Sequence, residues 1–186
     1  MTLTTTNIDE LLEQCHLGDQ RAQMRMYNKY YKAMYNTAFR IVKDSAEAED
    51  IMQESFLKAF SKLDSFKGTS TFGAWLKKIV INRSINAFNK KSRHQEVSYN
   101  DQLNNAAEED SYGFSGEEES NPKVQQILKA MDSLKENYRL ILTLHLIEGY
   151  DYEEICEIMQ LTNANCRTTI SRAKEALRKK LLSYEK

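Results

Sequence analysis

The sequence predicts an all-α protein of two small helical domains joined by a flexible acidic linker. Three observations carry that expectation. Apolar residues recur at three- and four-residue steps through much of the chain, the spacing of a helix face laid against a core. The single proline of the 186 residues, Pro122, follows Asn121, and an Asn cap with proline at the first helical position starts a helix without losing a needed backbone donor. Charge is also segregated, although the formal net charge is only −1.

From Ser65 to Gln95 there is no acidic residue, while Lys67, Lys77, Lys78, Arg83, Lys90, Lys91 and Arg93 are all basic. From Asp101 to Ser120 the pattern inverts to seven acidic residues with no countercharge, and the segment carries Gly113, Gly116 and several Asn and Ser. Such a composition cannot bury enough apolar surface to order itself. The end of the chain is basic again, with Glu175 the one acid between Leu161 and Ser183. The expected bounds are therefore residues 1–97 for the first domain, 98–121 for the linker and 122–186 for the second domain.

In the first domain Asp19 can cap a helix whose inner stripe is Tyr27, Tyr31, Met34, Ala38 and Ile41. Asp44 can cap the next, with Glu47 closing a reciprocal box, and Met52, Phe56, Ala59 and Leu63 face its core. Asp50, Gln53, Glu54, Leu57 and Ser61 then fall on the opposite face. An apolar anchor inside an anionic rim suits a basic helical partner, although a lone exposed leucine is also common on ordinary surfaces. A third helix runs from Ser70 or Thr71 to about Lys91, with apolar faces Phe72, Leu76, Val80 and Ile81, Ile85, Phe88. Between those faces run Trp75, Lys78, Asn82, Asn86 and Asn89. Asn is a poor helix former, but its amide can hydrogen-bond a base edge and a neighbouring Trp can stack a base. For Trp75 taken alone, core packing is the favoured reading, and it is the whole row with its surrounding cations that favours nucleic acid.

In the second domain Val124, Ile127, Leu128 and Met131 mark one helix, and Tyr138, Ile141, Leu142 and His145 another that closes at Gly149. Asp151 with Glu154 forms a capping box for a short helix, Tyr152 to Met159, and Gln160-Leu161-Thr162 makes a turn in which Thr162 caps the last helix. That last helix turns Cys166, Ile170, Ala173, Leu177 and Leu181 inward and leaves Asn165, Arg167, Thr168, Thr169, Arg172 and Lys174 outside. A short helix, a tight turn and a basic exposed helix make a helix-turn-helix, whose second helix enters the major groove.

Several classes are excluded on the same residues. No apolar run approaches the ~18 residues of a membrane span, and the start is not that of a secretory signal, so a cytoplasmic protein is expected. Cys15, Cys156 and Cys166 lack zinc spacing and are expected as buried thiols. No convergent catalytic set, phosphate-cradling glycine loop or metal cluster is legible, so neither an enzyme, a cofactor nor a small-molecule substrate is expected.

The segments Ser45-Ala-Glu-Ala-Glu-Asp-Ile-Met-Gln-Glu-Ser-Phe-Leu-Lys-Ala-Phe, Phe66-Lys-Gly-Thr-Ser-Thr-Phe-Gly-Ala-Trp-Leu-Lys-Lys-Ile-Val-Ile-Asn-Arg and Tyr150-Asp-Tyr-Glu-Glu-Ile-Cys-Glu-Ile-Met, with Arg167-Thr-Thr-Ile-Ser-Arg-Ala-Lys, resemble bacterial sigma factors. The short linker without a middle domain resembles the extracytoplasmic-function class in particular. The resemblance implies a protein that binds core RNA polymerase and directs promoter recognition, DNA opening and transcription initiation, under the control of an anti-sigma factor. It implies polymerase contacts at Asp50, Gln53, Glu54 and Leu57. Minus-ten contacts fall at Trp75, Lys77, Lys78, Asn82, Arg83 and Asn86, and minus-thirty-five contacts at Asn165, Arg167, Thr168, Thr169, Arg172 and Lys174. The first domain would be region 2-like and the second region 4-like. Asn86 stands where the family often has an acid, Thr169 where it often has Arg, and Lys135 where it often has Pro. The competing reading of the same residues is a stand-alone helix-turn-helix regulator, which would bind duplex DNA tightly without polymerase.

Overall fold

The computed structural model describes residues 8–98 and 121–184, so most of the expected linker, 99–120, lies outside the described residues. Every regular element among the described residues is helical. Contacts divide the chain into two compact units, Met1–Arg93 and His94–Lys186.

The first unit opens with α1 (Ile8–His16), a helix the sequence reading did not anticipate, which buries Leu11 and Cys15 one turn apart and packs on α2. The Asp19 carboxylate then accepts the Arg21 amide at 2.8 Å and starts α2 (Gln20–Val42). That helix buries Met26, Met34, Ala38 and Ile41, while Tyr27 and Tyr31 of the expected stripe stay half-buried and stack on each other. Lys43 ends it in the left-handed conformation at φ 55°, and Asp44 immediately caps α3 (Ser45–Ser61) by accepting the Glu47 amide at 2.9 Å. α2 and α3 form the main pairing of this unit, with Tyr27 set against Phe56 at 4.8 Å between ring centres. Small residues let such helices approach closely. The buried Ser55 of α3 donates to the Ile51 carbonyl at 2.6 Å and so leaves no orphaned hydroxyl in the core.

After a short 3-10 turn, Leu63–Ser65, Thr71 accepts the Ala74 amide at 3.2 Å and opens α4 (Phe72–Ser98), which extends about two turns past the expected end. The two expected apolar faces are one broad buried side of Phe72, Leu76, Val80, Ile81, Ile85 and Phe88. Each large side chain there contributes about 1.5–3 kcal/mol of transfer free energy, before conformational entropy is subtracted.

The second unit begins with α5 (Pro122–Asp132), where the Asn121 side chain accepts the Lys123 amide at 3.0 Å. α6 (Glu136–Leu142) does not run unbroken to Gly149 as expected. It widens into a π turn over Thr143–Ile147, closed by the Glu148 amide on the Thr143 carbonyl at 3.0 Å, and Gly149 takes the left-handed φ of 80° that a reversal there requires. α7 (Tyr152–Met159) carries both halves of the Asp151–Glu154 capping box. Gln160 ends α7 at φ 53°, and α8 (Asn163–Tyr184) follows. α5, α6 and α7 all pack on α8, whose inner stripe of Cys166, Ile170, Ala173 and Leu177 is buried. The core also holds Arg139, only 7% exposed; burial lowers its pKa, and Asp132 and Glu136 nearby support its charge.

Candidate docking and nucleic-acid faces

Three faces emerge from these helices. On α3, Asp50, Gln53, Glu54 and Leu57 are all exposed, as expected, and Leu57 shows 71% of its surface. Gln53 donates to Glu49 at 3.2 Å, which adds that carboxylate to the rim. Glu54 reaches across to Arg83 of α4 in an ion pair. Two residues assigned from sequence to different partners are thus bound to each other in the free protein.

On α4 the outer side carries Lys78, Asn82, Asn86 and Asn89, all exposed. Trp75 is half-buried, with its ring 5.4 Å from Phe66 and 5.7 Å from Phe72, and Phe72 in turn lies 5.7 Å from Tyr30 of α2. The packing reading of Trp75 describes its buried part, which sits in an aromatic cluster, and the rest of the ring is left exposed on the helix. Gly73 makes that closeness feasible, since a Cβ there would come within 2.9 Å of the Tyr30 ring. Lys77 and Arg83 do not join the row: both are half-buried, and Lys77 lies about 140° round the helix from Asn82.

On α8, Thr162 accepts the Asn165 amide at 3.3 Å, and Asn165, Arg167, Thr168 and Arg172 project to solvent. The Thr168 hydroxyl is already turned back to the Ala164 carbonyl at 2.8 Å. Thr169 and Lys174, expected outside, are half-buried. Lys174 Nζ lies 3.1 Å from His145 Nε2 and 6.0 Å from the Tyr152 ring centre, while His145 Nδ1 lies 3.1 Å from the Tyr150 carbonyl. Since the ammonium can only donate and the carbonyl only accept, the network assigns a neutral imidazole protonated on Nδ1. Lys174 therefore braces α8 against the turn before α7. The residues that sequence reasoning missed here, His145 as an acceptor and Tyr152 as a platform, lie far from Lys174 along the chain.

Cys15 and Cys166 are buried thiols, and Cys156 is only half-buried, with its sulfur 3.2 Å from Asn163 Oδ1. Burial, reinforced by the neighbouring Cys156 thiol, pushes Cys166 up to about 11, and burial together with Asp19 raises Cys15. Among the described residues no group of three or more His, Cys, Asp or Glu gathers as a metal site, and no helix is long and apolar enough to cross a membrane.

The two units coincide with two known family models. Residues 26–94 match sigma-70 region 2, and residues 124–177 match sigma-70 region 4. The chain is 34% identical over 179 residues to the ECF RNA polymerase sigma-E factor of Salmonella typhimurium, covering 92% of each chain. It belongs to the extracytoplasmic-function sigma factors. The RNA polymerase sigma-H factor of Pseudomonas aeruginosa is 32% identical with 96% of each chain covered. In three dimensions the sigma factor RpoE of Bartonella quintana, solved in complex with the anti-sigma factor NepR, shares the fold at a TM-score of 0.56, with 24% identity over 88% of this chain and 98% of that one. As an alternative sigma factor the chain directs transcription initiation, and the stand-alone regulator is not favoured. The region 2 match spans both the α3 and α4 faces, and the region 4 match spans the helix-turn-helix.

Proposed function

We propose that this sigma factor docks on core RNA polymerase through Asp50, Gln53, Glu54 and Leu57, holds the opened minus-ten element on the outer side of α4, and reads the minus-thirty-five element with the first turns of α8. The observation that carries this assignment is the face on α3, where a leucine 71% exposed stands among carboxylates directly beside the helix that bears the amide row. An apolar centre with an anionic rim fits a basic helical surface, and an exposed amide row beside an aromatic ring fits unpaired bases. On α8, Arg167 and Arg172 are the free cations best placed for DNA, the first nearer base edges and the second nearer phosphates. The protein acts in the cytoplasm, has no catalytic step or cofactor of its own, and is held in check by an anti-sigma factor, as the Bartonella relative is seen bound to one.

The test is reconstitution of the full chain with core polymerase. It should co-purify with the core enzyme and support transcription from its own promoters, and Asp50→Lys with Glu54→Lys should weaken that complex by several kcal/mol while leaving helix content intact. Tight promoter binding without polymerase, together with an unaltered complex for the double variant, would overturn the assignment. Arg172→Ala should lower affinity on every promoter and flatten its salt dependence, whereas Arg167→Ala should also change promoter preference.

A further inference from the structure

α2 is acid-free over its 23 residues yet carries Arg21, Arg25, Lys29, Lys32 and Arg40. The first four follow one another at steps of four, four and three, so they form one row, and all four side chains are exposed. The row is turned away from buried Met26, Met34 and Ile41. α1, which packs on α2, presents Asp9, Glu10 and Glu13 at its surface, but among the described residues no carboxylate pairs with any of the four cations. Like charges one turn apart cost an isolated helix a few tenths of a kcal/mol per pair, so the row works against the helix that bears it.

Its position supplies a use. Lys29 Nζ lies 6.0 Å from the ring centre of Tyr30, Tyr30 lies 5.7 Å from Phe72, and Phe72 lies 5.7 Å from Trp75. Lys29, the third cation of the row, thus stands at the edge of the aromatic cluster that carries Trp75. We infer that the row Arg21, Arg25, Lys29 and Lys32 is a phosphate track, which takes the backbone of the DNA strand as it continues beyond the bases held at Trp75 and Asn82. This rests on the proposed reading of α4 as the face for an opened strand. Neighbouring cations stand about 6 Å apart along the helix, which lets successive phosphates of a stretched strand each meet a charge. A protein partner fits less well, because docking surfaces centre on a buried apolar or aromatic anchor. Among the described residues of α2 only Met24, at the margin of the row, is a large exposed apolar side chain.

The experiment compares holoenzymes carrying the wild-type chain and the combined Arg21→Gln, Arg25→Gln, Lys29→Gln, Lys32→Gln variant. The probes are promoter oligonucleotides with an unpaired minus-ten strand, either trimmed to the recognised bases or extended at one end or the other. On the extended strand the variant should bind about 10- to 100-fold more weakly at low salt, and its log-log salt slope should be shallower by about 0.7 for each phosphate that no longer meets a cation. On the trimmed strand the two should bind alike. Equal affinity and slope on every extended probe would overturn the track, and so would a loss confined to core-polymerase binding, which would make the row a protein-binding surface. Asn82→Ala holoenzyme run in parallel reports separately on α4: silence there sinks the reading of that face, whereas silence of the combined variant sinks the track alone.

Discussion

The outer sides of α4 and α8 differ in what stands behind their polar groups. On α4 the exposed amides border a half-buried indole that is itself seated on Phe66 and Phe72. On α8, Arg167 and Arg172 project from a helix started by the Thr162 cap and held on its flank by the Lys174–His145 brace, behind a short helix that opens on the Asp151–Glu154 box. On the proposed reading, the difference suits the two helices to different states of a nucleic acid. A flat ring with amides serves bases out of the stack, whereas rigidly presented cations serve a duplex whose geometry is already fixed.

The strongest challenge to treating the two faces separately is to damage one core. Ile81→Ala and Ile170→Ala each remove a fully buried side chain and should each cost about 2–5 kcal/mol. The loss should be confined to the unit that contains the change, as read by amide exchange in α3 against α7. Equal loss of protection in both units from either variant would dissolve the comparison. A smaller effect, about 1–3 kcal/mol, is expected on promoter opening from Trp75→Ala or Asn82→Ala, followed by permanganate reactivity of unpaired thymines. Only Trp75→Ala should also lower the melting temperature, because only Trp75 contributes to the aromatic cluster. If both variants open duplex promoters normally, the α4 side is structural.

Asp151→Ala removes one side of the capping box and should cost about 1 kcal/mol of second-unit stability, with little change in the first. The smallest effect is absent at neutral pH. Cys166 is raised from 9.0 to about 11 in the folded chain, so the unfolded chain releases its proton first, and stability present below pH 9 is lost as pH climbs toward about 11. Cys166→Ala should flatten that alkaline decline in urea unfolding of the second unit. A decline as steep as in the wild type would place its cause elsewhere, with Tyr150 as the next group to examine, since burial and the nearby Glu148 and Glu154 raise it too.

What was legible in the sequence was what local chemistry decides. Asp44, Asn121, Asp151 and Thr162 announced their helix starts because a cap acts within three residues. The bounds of α7 and the exposed α3 face could be read for the same reason. Long-range contacts were not legible. Glu54 with Arg83 and His145 with Lys174 are each 29 residues apart, and nothing local marks them as partners. Thr169 and Lys174 looked exposed by helical angle alone, but neighbouring elements cover their flank of α8. α1 was missed because the polar composition of the chain's start outweighed the one-turn repeat of Leu11 and Cys15.

The turn between α7 and α8 sets the angle at which the last helix is offered, and it is made by a residue ill suited to its conformation. Gln160 sits at φ 53° and ψ 43°, a region that costs a residue bearing a Cβ about 1–2 kcal/mol and costs glycine almost nothing. Glycine is the usual occupant where a helix closes this way, and its greater freedom in the unfolded chain offsets only part of that relief. Position 160 is therefore a mutational reserve: a single change to glycine can firm the helix-turn-helix without touching a side chain proposed to meet DNA, and so offset a costly substitution in α8.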